Sequence, residues 1–413
     1  MNSRFGASNP RYTLEIKGLG IDTRVVSFHA IEGISEPFEV NLTIAASGAN
    51  PLTFEKIAEC EALMTIYSYE DSYGSDTNSR YFHGVINKLK YAGRQGSYCL
   101  YRVRLVPYLW FLNLSHNSRI YQDKTIEQIC TDIFDKTKMQ GKYKFVLNIP
   151  KNKEPKLYCV QYNESNFDFV ARILEEAGIF YFFEHTKVTH QAIFTDMTVH
   201  CDVIKGDDEI PLGHPNKDNP NQETVSAFNL SERFVTGKFS HTSYNFDNAS
   251  QKLDVTKEEE NPGPHEHYIH DGSYESEADG EIIASIRLEE ATLLEQRAKG
   301  LSSCARFTPG YKYSLDSDDN SEFVDEYILL AVEHTGKQPQ VLEENGQADS
   351  SPEYENGFLC VPSDTQIRPP RITPKPVITG LQSAIVTGPK GEEIHTDKYG
   401  RVCRLIFCIF WVC

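Results

Sequence analysis

Between residues 11 and 112 apolar and polar positions alternate in short runs, the period-two pattern of half-buried strands. The runs Tyr12–Ile16, Val25–Phe28, Phe38–Ile44, Ala62–Tyr67, Phe82–Leu89 and Tyr98–Val106 predict six strands. Turn-formers such as Gly18-Leu19-Gly20 and Tyr73-Gly74-Ser75-Asp76 separate them. The period then lengthens. Ile126, Ile129, Cys130, Ile133 and Phe134 recur at helical spacing behind Thr125, a cap residue. A second helix is predicted over 166–177, with Ser165 as N-cap and Asp168 three residues on, a variant of the capping box. Phe167, Val170, Ala171 and Leu174 make its apolar stripe, Glu175 and Glu176 stay polar, and Gly178 supplies the left-handed stop. Ile179-Phe180-Tyr181-Phe182-Phe183 follows at once and predicts a buried strand.

Strands return at Val225–Leu230, Lys238–Tyr244 and Lys252–Val255. A longer helix is predicted over 276–299, with Ile282, Ile283, Ile286, Leu293 and Leu294 on one side and Gly300 as its stop. Tyr311–Leu315 and Glu326–His334 read as strands around an acidic hairpin starting at Asp316. Residues 336–357, rich in Gln, Glu, Ser, Gly and Asn, read as an exposed loop. Pro369, Pro370, Pro374 and Pro376 make a stiff connector to a last module. Two β-rich regions flanking a mixed region give a β-dominated α+β protein.

Composition narrows the classes of function. A chain of 413 residues is long for one core and suggests about two to four modules. Its net charge of −18, with no basic tract, argues against binding a phosphate backbone, so no nucleic-acid partner is expected. No apolar run approaches the roughly 20 residues of a membrane span. The N-terminus lacks an apolar h-region, so a Sec signal is not expected. The ten cysteines are scattered without a Cys-x-x-Cys, which fits reduced thiols made in the cytoplasm.

Each motif that hints at chemistry has a plainer reading. His265, His267 and His270 form H-x-H-x-x-H, of which the first two would share a face on an extended chain, yet a solvated loop is the simpler account. Asp316, Asp318 and Asn320 start like a calcium loop, but Ser321 stands where Gly is needed and Tyr327 where Glu is. Adjacent Glu175 and Glu176 diverge by about 100° on a helix and cannot serve one substrate as a carboxylate pair. Gly388-Pro389-Lys390-Gly391 lacks the spacing of a phosphate loop. No catalytic, cofactor-binding or metal residue is therefore assigned, no cofactor and no small-molecule substrate are expected, and the chain reads as no enzyme.

The string from Tyr162 to His185, Y-x-E-S-x-x-x-F-x-x-R-x-x-E-E-x-G-I-x-Y-x-F-x-H, resembles the signature of the VgrG family, the spike proteins of the bacterial type VI secretion system. Further motifs follow in the same order. Phe28-His29-Ala30 with Glu32-Gly33-Ile34-Ser35, Phe82-His83-Gly84-Val85-Ile86, Leu109-Trp110 and Ser118-Arg119-Ile120-Tyr121-Gln122 are similar to the family's strands and turns. Ile372-Thr373-Pro374-Lys375-Pro376 and the stretch from Gly388 to Val402 are similar to the entry of its OB-fold.

The resemblance implies a phage-tail-hub-like fold with two β-barrel-like domains and an α/β region, followed by an incomplete OB-fold. The expected division is 1–115 barrel-like; 116–200 α/β; 201–345 second barrel-like, with the helix 276–299; 346–380 loop and connector; 381–402 start of the OB-fold; and 403–413 an aberrant apolar end. It also implies a homotrimer whose six barrels stack on the hexameric Hcp tube ring, with other baseplate or effector proteins as partners and export through the type VI apparatus. A phage or prophage tail hub and a hub-borne cell-wall hydrolase or toxin are the alternatives. After Val402 the eight apolar residues from Leu405 to Val412 break strand alternation, and three of the ten cysteines fall in the last eleven residues. A shifted reading frame, with the spike absent, is the expectation there; a buried strand or anchor is the alternative.

Overall fold

A computed structural model describes residues 10–47, 52–68, 78–215, 219, 221–270, 274–317, 323, 326–342, 352–381, 383–392, 395–396, 400–401 and 403–406. The chain starts with β1 (Tyr12–Ile16), β2 (Thr23–Gly33), β3 (Glu36–Ser47), a one-turn α1 (Phe54–Ile57), β4 (Glu61–Ile66), β5 (Arg80–Gln95) and β6 (Tyr98–Val106). These strands run in the order β1-β4-β5-β6-β3-β2, and the ring closes where Thr13 faces Arg24. Alternate residues such as Tyr12, Leu14, Val40, Leu42, Ile44, Val103 and Leu105 fill the barrel. Strands β2, β3 and β5 outrun their apolar cores, because ladder pairing carries polar residues such as Lys88 to Gln95 along with it.

A mixed region follows, comprising β7 (His116–Tyr121), α2 (Ile126–Phe134), β8 (Tyr143–Val146), β9 (Cys159–Ser165), α3 (Asn166–Ala177), β10 (Phe180–His185) and β11 (His190–Thr195). Helix α2 has a full capping box, Thr125 with Gln128. Helix α3 is capped by Ser165 and stopped by Gly178 at φ 68°, as the sequence predicts. Its buried stripe differs. Phe169, Val170, Ile173, Leu174 and Ala177 are buried, whereas Phe167 and Ala171 are only half-buried. Apolar residues occupy more than one face of this helix, so spacing alone leaves the phase open.

Next come β12 (Glu209–Pro211) and β13 (Val225–Glu232), then a satellite of β14 (Lys238–Ser243), β15 (Leu253–Glu258), β16 (Glu266–His270) and α4 (Glu277–Thr292). The satellite has its own small core of Phe239, Leu253, Val255, Tyr274, Ala284 and Leu288. The chain then returns through β17 (Gln296–Ser302), β18 (Lys312–Asp316), β19 (Glu326–Lys337) and β20 (Glu353–Pro362). The order β13-β17-β20-β19-β18-β12, with a bridge from Leu212 back to Val225, closes a second six-stranded barrel. Strand β19 also pairs with β2, from Ala331 opposite Gly33 to Lys337 opposite Ser27, so one ladder joins the two barrels.

Several expectations are corrected. The helix predicted over 276–299 ends at Thr292, and Gly300 lies inside β17. Ala298, Gly300 and Ser302 are the buried alternate positions of that strand, and a Cβ on Gly300 would sit 2.4 Å from the Phe358 ring. Gly300 thus makes room for an aromatic, and does not stop a helix. The loop predicted over 336–357 is shorter, since Gly336 and Lys337 finish β19 and Glu353 begins β20. The His265–His270 segment is largely strand β16, parallel to β14, not a loop. At the C-terminal end the short strands β21 (Ala384–Thr387) and β22 (Cys403–Ile406) pair antiparallel. The start of the apolar end therefore does form a strand; residues 407–413 lie outside the described residues.

Candidate functional site: wedge, seam and docked strap

Strand β10 explains its own composition. Phe180 and Phe182 belong to a cluster with Ile328, Leu330, Val361 and Ile367 of the second half, while Tyr181 and Phe183 belong to the first-barrel core. A strand buried on both faces has no polar face to show, so its apolar run is continuous. Phe183 meets Phe38 edge to face with ring centroids 5.0 Å apart, and Phe182 meets Tyr311 at 5.9 Å. The backbone joins in, with Ser35 N–H donating to the Tyr181 carbonyl at 2.8 Å. The helix-turn-strand unit is a wedge that fixes one barrel against the other.

Beside the wedge, the β2–β19 seam encloses a polar network. The Glu32 carboxylate accepts from Arg80 Nη2 at 2.7 Å on both oxygens and from His334 Nε2 at 3.0 Å. Asn356 Nδ2 donates to the Tyr354 hydroxyl at 3.0 Å, and that hydroxyl donates to His334 Nδ1 at 2.7 Å. Burial holds His334 neutral, and the Glu32 carboxylate, an acceptor only, places its proton on Nε2 and leaves Nδ1 to accept from Tyr354. Burial pushes the Glu32 pKa up, but the Arg80 charge and the His334 bond prevail and hold it at about 2. His185 accepts from the His83 N–H at 3.1 Å, and His190 accepts from the Tyr108 N–H at 3.1 Å. Burial, then the Arg80 charge, holds His185 down at about 3. Burial likewise depresses His83, His190 and His334.

A third feature is the proline-rich strap. Arg368 donates to the Gly178 carbonyl at 2.9 Å, the Asp196 carbonyl at 2.6 Å and Glu289 at 2.6 Å. The Glu175 carboxylate accepts from Thr373 N–H at 3.0 Å and from its hydroxyl at 2.7 Å, while Glu176 pairs with Lys375 at 2.9 Å. From α4, Arg287 reaches the Glu176 carbonyl at 2.6 Å, covering the open C-terminal end of α3. The two glutamates point to different partners, as their helical divergence requires, and both hold the strap.

Residues 31–340 match the family of the phage tail baseplate hub (GPD). The chain belongs to that family. This hub is 30% identical to the type VI secretion system spike protein VgrG4b of Pseudomonas aeruginosa, over 96% of this chain and 49% of that protein. It is 30% identical to VgrG1c of the same species over 78% of this chain and 44% of that protein. It is also 28% identical to the actin cross-linking toxin VgrG1 of Vibrio cholerae, over 95% of this chain and 36% of that protein. The hub spans about half the length of the first two. Among solved structures it superposes with TM-score 0.67 at 23% identity on an E. coli type VI secretion component described as structurally similar to the T4 tail proteins gp27 and gp5, covering 94% of this chain and 87% of that one. A prophage MuSo2 tail protein from Shewanella oneidensis superposes with TM-score 0.52 at 12% identity, covering 86% and 99%.

The histidines weighed for metal binding do not gather a ligand set. Among the described residues no group of three His, Cys, Asp or Glu is placed to hold an ion. His267 and His270 are three apart on β16 and face opposite sides, and both are exposed. Asp316 ends β18, while Asp318 and Asn320 lie outside the described residues. The seam was not foreseen from sequence. Glu32, Arg80, His185 and His334 are far apart in the chain, and the one available signal was their placement inside otherwise apolar strands.

Proposed function

We propose that this chain is the structural hub of a type VI secretion spike, joining as a homotrimer to a hexameric Hcp tube ring and passing on to a puncturing element. The observation that carries the reading is two six-stranded barrels locked into one rigid pair by the seam and the wedge. Three such chains supply six barrels, the number a six-fold ring demands. Docking of this kind needs a broad complementary surface and no catalytic group, so the proposed role is non-enzymatic. Baseplate or carried effector proteins are the further partners, and export through the apparatus itself is the proposed route.

The test is assembly. Light scattering should give about three times the 46.9 kDa of one chain, and tube rings should co-sediment with it. With a net charge of −18, the ring contact should weaken as salt rises. A strict monomer at micromolar concentration, or no ring binding at low salt, overturns the proposal. The fold similarity to a prophage tail protein favours the second reading, a contractile tail hub; tube proteins from the two machines, compared as binding partners, separate the two.

A further inference from the structure

We propose that the outer face of the joined barrels is a docking groove for an extended, carboxylate-rich segment of a partner protein. The groove encloses about 870 Å³ across β5, β6, β3, β2, β19 and β20. Five inter-strand steps make it about 24 Å wide, which about seven extended residues span.

The first-barrel end of this groove breaks a rule of sheet design. Lys90 stands directly opposite Arg102, and Lys88 directly opposite Arg104. Like charges facing across a ladder destabilise it. Arg104 is relieved by Glu39 at 3.1 Å and by Asn87 at 2.9 Å. Lys88, Lys90 and Arg102 are exposed, and no described carboxylate pairs with them. On a chain of net charge −18 this is an isolated basic ladder. Local conflicts retained in a fold mark function. A row of carboxylates would neutralise both rungs at once, and the concave sheet face would hold it extended. Asn41, Thr43 and Ser27 line the middle of the floor, where the Asn41 amide donates to Glu39 at 2.8 Å and the other two offer hydroxyls. Towards the second barrel the charge is mixed, with Lys337 opposite Glu353 and Glu355 exposed at the far rim. The uncompensated positive charge thus lies at the first-barrel end, and the acidic part of the segment belongs there. The inference goes beyond the ring-docking reading and does not depend on it.

The probe is a fluorescein-labelled decapeptide alternating Glu and Val, read by anisotropy at low salt against the full chain. Lys88→Glu with Lys90→Glu should weaken binding at least tenfold, whereas Lys136→Glu, on the loop after α2, should leave it unchanged. Lys88→Gln with Lys90→Gln removes the repulsion without a new charge, so it should melt no lower than the unmodified protein while still losing binding. Equal binding by both double variants and the unmodified chain overturns the proposal. So does tighter binding of a ten-nucleotide single-stranded DNA than of the peptide, which would make the ladder a general polyanion site. A double variant that also falls to a smaller oligomer by light scattering makes this face a self-interface and overturns it too.

Discussion

At the scale of single residues, Gly178 does two things. Its φ of 68° ends α3, and a Cβ there would lie 2.6 Å from Ile286 Cγ2 on α4. Gly141 has a similar φ of 70° with nothing within 4 Å. Gly141→Ala should therefore cost only the left-handed strain, about 1–2 kcal/mol. Gly178→Ala should add a crowding cost of about 1–3 kcal/mol, measured by urea unfolding. Equal costs at the two sites would show that α4 does not need the close approach. The buried imidazoles give a pH dependence of definite sign. Their folded pKa values lie below the usual 6.5, at about 3 for His185, so below pH 6.5 the unfolded chain binds more protons than the folded one. Stability is thus intact above pH 6.5 and falls as pH drops towards the folded values, by up to about 1.4 kcal/mol per pH unit for each neutral imidazole. Glu32, held at about 2, adds a further loss below about pH 4.5. His334→Gln keeps a donor for Glu32 while removing one titration, so the fall in urea midpoint between pH 7 and 5 should become shallower.

At the scale of elements, the strap and the wedge behave differently. Replacing Glu175 and Glu176 by Ala unpins Thr373 and Lys375, which should speed trypsin cleavage after Arg371 several-fold. The Glu175 bonds should account for most of the effect, because bonds to a buried charge are worth about 1.5–3 kcal/mol and the exposed Lys375 pair at most about 1. Phe182→Ala strikes the wedge, where the lost packing should cost about 3–5 kcal/mol. The helix ends show how much was legible locally. The cap at Ser165 and the stop at Gly178 lie within α3, so sequence located both. The end of α4 was misjudged because Leu293 and Leu294 continue its apolar pattern while packing against the wedge cluster instead.

At the scale of the whole molecule, the shared seam and wedge make the two barrels one mechanical unit. Trp110 at the end of the first barrel and far-UV circular dichroism should report a single coincident urea transition for the two. Phe182→Ala should split the curves if the wedge supplies the coupling. The polar seam sharpens this, since separating the barrels would strip the buried Glu32–Arg80 pair of the His334 hydrogen bond that β19 supplies.

The sequence by itself determined the β-dominated class, most strand and helix positions, and, through the Tyr162–His185 signature, the family. Period, caps and turn residues act over a few positions and are written in neighbouring letters. Only the tertiary structure decided which strands close each barrel, that β19 pairs with β2, and that Glu175 and Glu176 hold a strap almost 200 residues away. It alone set Lys88 and Lys90 opposite Arg104 and Arg102. Strand β5 carries a K-x-K and β6 an R-x-R, each unremarkable in a chain with no basic tract, and ladder register brings them face to face. Register and burial are set by contacts between distant segments, which local spacing does not encode.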